Sequence, residues 1–199
     1  MSDKKLVLFD FDGTLTTRDT LLEFIRFYHG TLKFLWGFFV TSPPIILSKL
    51  KIIPNWRAKE IVLTWFFKDE TLEQFNSTSI AFASHCTPSL IRPKALSEIN
   101  NYLLEGWRVV VVSASAENWV KPWCDATGVE CIATKLELKD NKLTGKIAGK
   151  NCYGPQKVVR ILEKLNINEY QKIVVYGDSS GDREMLELGH QKFYKPFRD

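Results

Sequence analysis

The sequence predicts an α/β fold: a mainly parallel sheet with a helical cap inserted after the first strand. Three observations predict it. Residues 6–9 and 109–112 form short unbroken apolar runs, the pattern of strands buried on both faces, and residues 129–134 and 172–176 read as further strands. From residue 93 onwards these runs alternate with stretches of helical spacing, the order that builds a parallel sheet through right-handed crossovers. Residues 17–88, by contrast, carry no strand signal.

Each element has its own reason. Residues 6–9 are a buried strand that stops at the acidic, turn-forming run Asp10-Phe11-Asp12-Gly13-Thr14. Residues 18–30 place Leu21, Leu22, Phe24, Ile25 and Tyr28 on one helical face. Residues 34–47 are strongly apolar and are expected to break at Ser42-Pro43-Pro44. Residues 56–67 and 71–86 again have helical spacing. Residues 93–104 read as a helix with Pro93 in its first turn and Gly106 past its end. Residues 117–126 are a helix between two strands. Asp140-Asn141 lies between Leu136/Leu138 and Leu143/Ile147 and marks a hairpin. Residues 155–165 and 182–188 complete the helices. The division expected is a core of residues 1–16 and 89–199 and a cap of residues 17–88.

Composition narrows the function classes. The 199 residues are 45% apolar and 25% charged, which excludes a disordered, collagen-like or coiled-coil chain. A net charge of +4 is too mild to imply a nucleic-acid partner. Cys86, Cys124, Cys131 and Cys152 have neither zinc-site nor dense disulfide spacing, so reduced, inert thiols are expected. The apolar run after Met1-Ser2-Asp3-Lys4-Lys5 is too short for a signal peptide, and a cytoplasmic location is the expectation.

Ligands of parallel α/β sheets bind beyond the carboxyl ends of the strands. Asp10/Asp12, Ser113 and Asp178/Asp182 fall there, and Lys157 opens a helix that can point there. Each has a plainer reading: a turn for Asp10 and Asp12, a helix cap for Ser113 and for Asp182, a solvated surface charge for Lys157. Two acidic pairs at one sheet edge nevertheless repel unless a cation compensates, and an all-carboxylate set suits Mg²⁺.

Together the four segments resemble the haloacid dehalogenase superfamily of hydrolases. Asp10-Phe11-Asp12-Gly13-Thr14 is similar to its first motif, Ser113-Ala114 to its second, Lys157 to its third, and Gly177-Asp178-Ser179-Ser180-Gly181-Asp182 to its fourth. The cap position and the hairpin before the third motif are similar to the phosphoserine phosphatase-like branch. The resemblance implies a Rossmann-like core and an Mg²⁺-dependent phosphatase. Asp10 would be the nucleophile and Asp12 the general acid and base. Asp10, Asp178 and the Asp12 carbonyl would hold the metal, with Asp182 supporting the metal shell or Lys157. Thr14, Ser113, Ala114 and Lys157 would bind or shape the phosphoryl site. An acid at Asp12 favours a phosphatase over a dehalogenase or an ion-pumping ATPase. The alternative class is a non-catalytic phosphate-binding or interaction module on the same fold.

The substrate is less determined. Phosphoserine phosphatases carry Glu where this chain has Asp19, and Asn where it has Gly181. Asp19 is a substrate-selecting candidate, as is Arg57, with Arg26 also considered. From Phe24 to Phe67 the cap holds eleven aromatic residues. Two readings stand: the core of a small helical cap, or an interfacial segment rimmed by Trp and Lys. The chain also resembles bacterial phosphatidylglycerophosphate phosphatases, which share the Asp at position 19 and a hydrophobic, proline-bearing cap. The expected partner is therefore a small-molecule or lipid phosphomonoester, with peripheral contact at the inner membrane surface in the lipid case.

Overall fold

The computed structural model describes residues 4–198. Met1–Asp3, part of the start on which the leader expectation rests, lie outside the described residues. The chain begins with β1 (Lys5–Phe9), and a tight loop over Phe11–Leu15 leads into the cap. The cap comprises α1 (Thr20–Lys49), α2 (Asn55–Phe67), α3 (Leu72–His85) and the short α4 (Thr87–Leu90). The core resumes with α5 (Pro93–Leu104), β2 (Arg108–Ala116), α6 (Glu117–Thr127) and β3 (Glu130–Thr134). A hairpin of β4 (Leu136–Lys139) and β5 (Lys142–Ile147) follows. The chain then forms α7 (Pro155–Lys164), β6 (Lys172–Gly177), α8 (Arg183–Leu186) and β7 (Gln191–Tyr194).

Five strands form one parallel sheet in the order β3-β2-β1-β6-β7. This is the predicted class. β1 lies at the centre, with Phe9 registered against Val111 of β2 and Tyr176 of β6. The strand period of two divides the core into two layers. Leu6, Leu8, Val110, Val112 and Val175 face Ile161, Leu165 and Met185 on one side. Val7, Phe9, Val109, Val111 and Val174 face the other side, in a cluster that runs without interruption into Phe24, Phe67, Phe75 and Phe82 of the cap. The cap therefore shares a hydrophobic core with one face of the sheet. Trp119 of α6 is the junction: it stacks on Phe24 at 4.7 Å between ring centroids.

β7 has no counterpart among the sequence-predicted strands. It is an edge strand with all four residues exposed, so it lacks the apolar run that marks its neighbours. A second difference lies at Pro43-Pro44, which do not end the helix; α1 continues through both to Lys49. The Ser42 hydroxyl donates to the Phe39 carbonyl at 2.8 Å, the acceptor that Pro43, with no N–H, leaves free. The real interruption is Gly30, whose φ of +76° lies where only glycine sits without strain.

The hairpin straps the cap to the core. The Asp69 and Leu72 amides donate to the Leu143 and Asn141 carbonyls at 2.8 and 3.0 Å, and the Leu143 amide donates to Glu70 at 2.9 Å. On the other side, Thr16 and Ile91 bridge the two chain crossings between cap and core. All four cysteines are free. Burial pushes the Cys152 thiol up to about 11 and also raises that of Cys124, so both are protonated near neutrality.

Candidate active site

The site is built where β1, β2 and β6 end. The Asp10 amide donates to the Tyr176 carbonyl at 2.9 Å, which extends the β1–β6 ladder one residue past the strand. Asp10 is thereby set at the sheet edge with its side chain almost fully buried. Its Oδ2 accepts the Thr14 hydroxyl at 2.9 Å and its Oδ1 accepts the Lys157 Nζ at 2.5 Å. Gly13 makes the loop feasible: its φ is +83°, and a Cβ there would lie 2.5 Å from an Asp178 carboxylate oxygen.

Lys157 is not a surface lysine. It is 1% exposed, and its ammonium also donates to Asp182 Oδ1 at 2.6 Å and to the Val112 carbonyl at 2.8 Å. All three ammonium donors are thus used, two of them on carboxylates. The Asp182 Oδ2 accepts from the Ser179 hydroxyl at 2.8 Å and the Ser179 amide at 3.0 Å. Asp182 does not cap α8: its side chain makes no capping bond to that helix, and instead closes a box with Ser179 on the turn before it while pairing with Lys157. Asp178 completes the group, and Arg198 donates to its Oδ2 at 2.5 Å from the C-terminal segment.

Burial governs the electrostatics. It pushes the Asp10 carboxyl up to about 7, with the Asp182 charge adding to the rise and Lys157 opposing it. Burial alone would lower the Lys157 ammonium, but the two adjacent carboxylates outweigh it and hold it above its ordinary value. Asp178 is raised by burial and by Asp182. Asp182 is lowered, because Lys157 and the Ser179 donors overcome its burial.

Asp12 points away from Asp10's partners. Its Oδ1 accepts both the Thr20 amide at 2.7 Å and the Thr20 hydroxyl at 2.6 Å. The Trp119 indole N–H donates to that hydroxyl at 3.2 Å, so a chain from core helix through cap helix orients the Asp12 carboxylate. Ser113 is fully buried; its hydroxyl accepts the Ser115 amide at 2.9 Å and donates to Asp12 Oδ2 at 3.4 Å.

A cavity of about 1070 Å³ extends from this cluster beneath the cap. Asp10, Asp12, Ala114, Lys157 and Asp182 form its floor; Asp19 stands at its mouth. Asp19 caps α1 by accepting the Leu21 and Leu22 amides at 2.9 and 3.3 Å. Lost hydration inside the concave mouth and the Asp12 charge push its carboxyl up to about 6. Arg57 and Arg26 are exposed and absent from the lining; Arg26 donates to Thr31. Lys59, two residues beyond Arg57, does line the cavity, as do Lys49, Lys51 and Lys157. Lys59 donates to the Ala114 carbonyl and, at 3.5 Å, to Asn151. Its enclosure lowers its pKa, against the pull of Asp12 and Asp19. Its only described acceptors are therefore neutral oxygens. The roles of Lys59, Thr20 and Trp119 carry no sequence signal apart from the helical period that turns residue 59 inward and 57 outward.

Asp10, Asp178 and Asp182 present oxygens that all lie within 4.8 Å of one another. This oxygen-only set fits a hard cation such as Mg²⁺. Three carboxylates, with Asp12 close by, face the buried Lys157 ammonium and the half-exposed Arg198 guanidinium.

Comparison with known proteins places this arrangement. Over 196 residues the chain is 33% identical to protein CicA of Caulobacter vibrioides, covering 97% of this chain and 86% of that one. It is 27% identical over 191 residues to the phosphoserine phosphatase of Methanocaldococcus jannaschii, covering 92% and 82%. A solved structure of a protein of unknown function from Bordetella pertussis superposes with a TM-score of 0.82 at 21% identity, covering 94% and 88%. Residues 7–187 match the family model of haloacid dehalogenase-like hydrolases. With that match over most of its length, the chain belongs to the haloacid dehalogenase-like hydrolase family.

Proposed function

We propose that the protein is an Mg²⁺-dependent phosphomonoester hydrolase that works through an aspartyl-phosphate on Asp10. The observation that carries this reading is the buried Lys157 ammonium held between Asp10 and Asp182, with Asp178 and Asp12 on either side of the nucleophile.

An Asp10 carboxylate oxygen attacks phosphorus, and the bond from phosphorus to the leaving oxygen breaks with its electron pair on that oxygen. Asp12 gives its proton to the leaving alkoxide. Asp12, now a carboxylate, takes a proton from water, whose oxygen attacks phosphorus and releases inorganic phosphate. The carboxylate of Asp10 is restored. Thr20 and Trp119 hold Asp12 in the geometry that both transfers need. Lys157, its three donors committed to Asp10, Asp182 and the Val112 carbonyl, supplies positive charge beside the phosphoryl group, and the Ser113 hydroxyl would turn from Asp12 to donate to a phosphoryl oxygen. Bound by Asp10, Asp178 and the Asp12 carbonyl, Mg²⁺ supplies neutralisation of the repulsion between the anionic nucleophile and the phosphate.

The cavity favours a leaving group with an apolar portion, a lipid phosphate. Phe38, Ile45, Ile52 and Ile53 line the wall away from the catalytic floor. A second reading, a phosphoserine-like amino acid, is supported by Asp19 and Lys59, opposite charges on the same cavity that suit an ammonium and a carboxylate.

Asp10→Asn is expected to abolish Mg²⁺-dependent hydrolysis of p-nitrophenyl phosphate; retained turnover would overturn the nucleophile assignment. A comparison of kcat/KM over lipid and amino-acid phosphates separates the two substrate readings.

A further inference from the structure

The part of α1 after Gly30 is apolar on both sides. Helices on globular proteins turn their apolar stripe inward and a polar face outward. Here Leu32, Trp36, Phe39, Pro43, Ile46 and Leu50 recur at three- and four-residue intervals and all face solvent. The side turned towards the protein carries Gly37 and Thr41 with the half-buried Phe34, Phe38 and Ile45. Leu32 is 85% exposed, Phe39 72% and Trp36 62%, values far from those of a packed helix. The core reading of the aromatics from Phe24 to Phe67 therefore holds for Phe24, Phe66 and Phe67, with Phe34 and Trp65 half-buried against the core, and fails for Trp36, Phe39 and Trp56.

The charge around this face has one sign. Between Glu23 and Glu60 the chain contains Arg26, Lys33, Lys49, Lys51, Arg57 and Lys59, and no acidic residue. An apolar stripe with a basic border is complementary to an anionic lipid surface, where apolar side chains enter the acyl boundary and lysines meet the headgroups. A second copy of the chain is a poorer occupant. A two-fold contact brings the same patch onto itself, so the lysine rims would face each other.

α1 has the length and hydropathy of a membrane-crossing helix, at 30 residues with a mean hydropathy of 1.2 in its most apolar window. Its surroundings prevent it from crossing. Phe24 and Ile25 near its start belong to the protein core, Gly30 breaks its axis, and Gly37 packs against Trp65 and Phe66 of α2. A helix held along one side by protein can only lie in the plane of the interface.

The face is also continuous with the cavity. Ile45, Ile52 and Ile53, at the turn from α1 to α2, line the passage that ends at Asp10. We propose that the outer face of residues 31–56 docks on an anionic bilayer, with α1 lying in the interface and the cavity mouth turned towards the lipid. Binding of this kind does not depend on the hydrolase reading, since it uses side chains outside the catalytic floor.

Flotation with vesicles tests it. The probes are vesicles of phosphatidylcholine with a quarter phosphatidylglycerol, and vesicles of phosphatidylcholine alone. The intact protein is expected to float with the anionic vesicles and to float much less with the neutral ones. Added salt at about 0.5 M should weaken the anionic case, because it shortens the reach of the lysine charges. The double variant Leu35→Glu/Phe39→Glu is expected to lose flotation by about tenfold, in proportion to the apolar area it removes from the interface. Both residues are exposed and outside the cavity, so its hydrolysis of p-nitrophenyl phosphate should match the parent's. That control separates loss of docking from loss of fold. Failure of the hydrolase reading would show instead as absent turnover in a protein that still floats. Three results would overturn the proposal: no flotation of the parent protein, equal flotation of the double variant, or a solution dimer that the double variant dissociates.

Discussion

The catalytic floor and the outer cap helix treat polarity in opposite ways. The floor buries charge and satisfies it: Asp10, Lys157 and Asp182 are shielded from solvent, yet every ammonium proton has an acceptor. The outer half of α1 exposes hydrocarbon and aromatic rings and turns glycine and threonine inward. The first pattern costs desolvation and secures one fixed arrangement of charges. The second leaves apolar surface without a partner within the described residues. Each departs from the ordinary rule of burial, and each marks a place where something other than stability decides the residue. On the readings proposed above, the floor would receive a phosphoryl group and the helix an apolar surface.

Four substitutions probe that contrast, beginning with the largest effect. Lys157→Ala removes the one cation between two buried carboxylates, and is expected to lower unfolding free energy by about 3–5 kcal/mol as well as eliminate turnover. Denaturant titration and a p-nitrophenyl phosphate assay measure the two; an unchanged midpoint would mean that the network is not structural. Next comes a matched pair of aromatic truncations. Phe24→Ala, in the shared core against Trp119, should cost about 3–5 kcal/mol. Phe39→Ala, the same truncation on the exposed outer face, should stay within about 0.5 kcal/mol in lipid-free solution. Equal costs would erase the distinction between inner and outer cap.

The smallest effect concerns His29. It packs against both the Phe66 and Phe67 rings, and a ring nitrogen is 2.8 Å from the Phe66 carbonyl, so the ring donates there. Burial, with Lys33 nearby, lowers its pKa. A depressed folded-state value means that the neutral ring contributes stability above the unfolded value of about 6.5, and that this is lost as pH falls through the folded value. Acid should therefore loosen the cap before the core. His29→Gln is expected to flatten the decline in thermal midpoint below neutrality.

The core was more legible in the sequence than the cap. Parallel strands covered on both faces leave unbroken apolar runs, and their ends carry Asp10, Asp12, Ser113 and Asp178, which the sheet places together. The burial of Lys157 was not visible in its neighbours; only its resemblance to a motif singled it out. In the cap, Arg57 was the legible candidate and Lys59 is the residue in the cavity, because a helix rotates by 100° per residue and a two-residue error reverses the face. Pro43-Pro44 read as a break because local rules assign them one; Ser42 supplies the missing hydrogen bond instead. β7 was silent because an exposed edge strand needs no apolar run.

The strap between hairpin and cap has a consequence for traffic. At Gly145 the backbone of β5 approaches Thr64 of α2 so closely that a Cβ would lie 2.3 Å from the Thr64 Cα. With this contact on one flank and the Thr16–Ile91 bridge at the crossings, the cap is fastened to the core on two sides. On the hydrolase reading proposed above, substrate and both products would share the opening past Asp19 and the apolar wall. The freed alcohol, nearest that opening, would then leave first, and phosphate would follow once water had taken the vacated place beside Asp12.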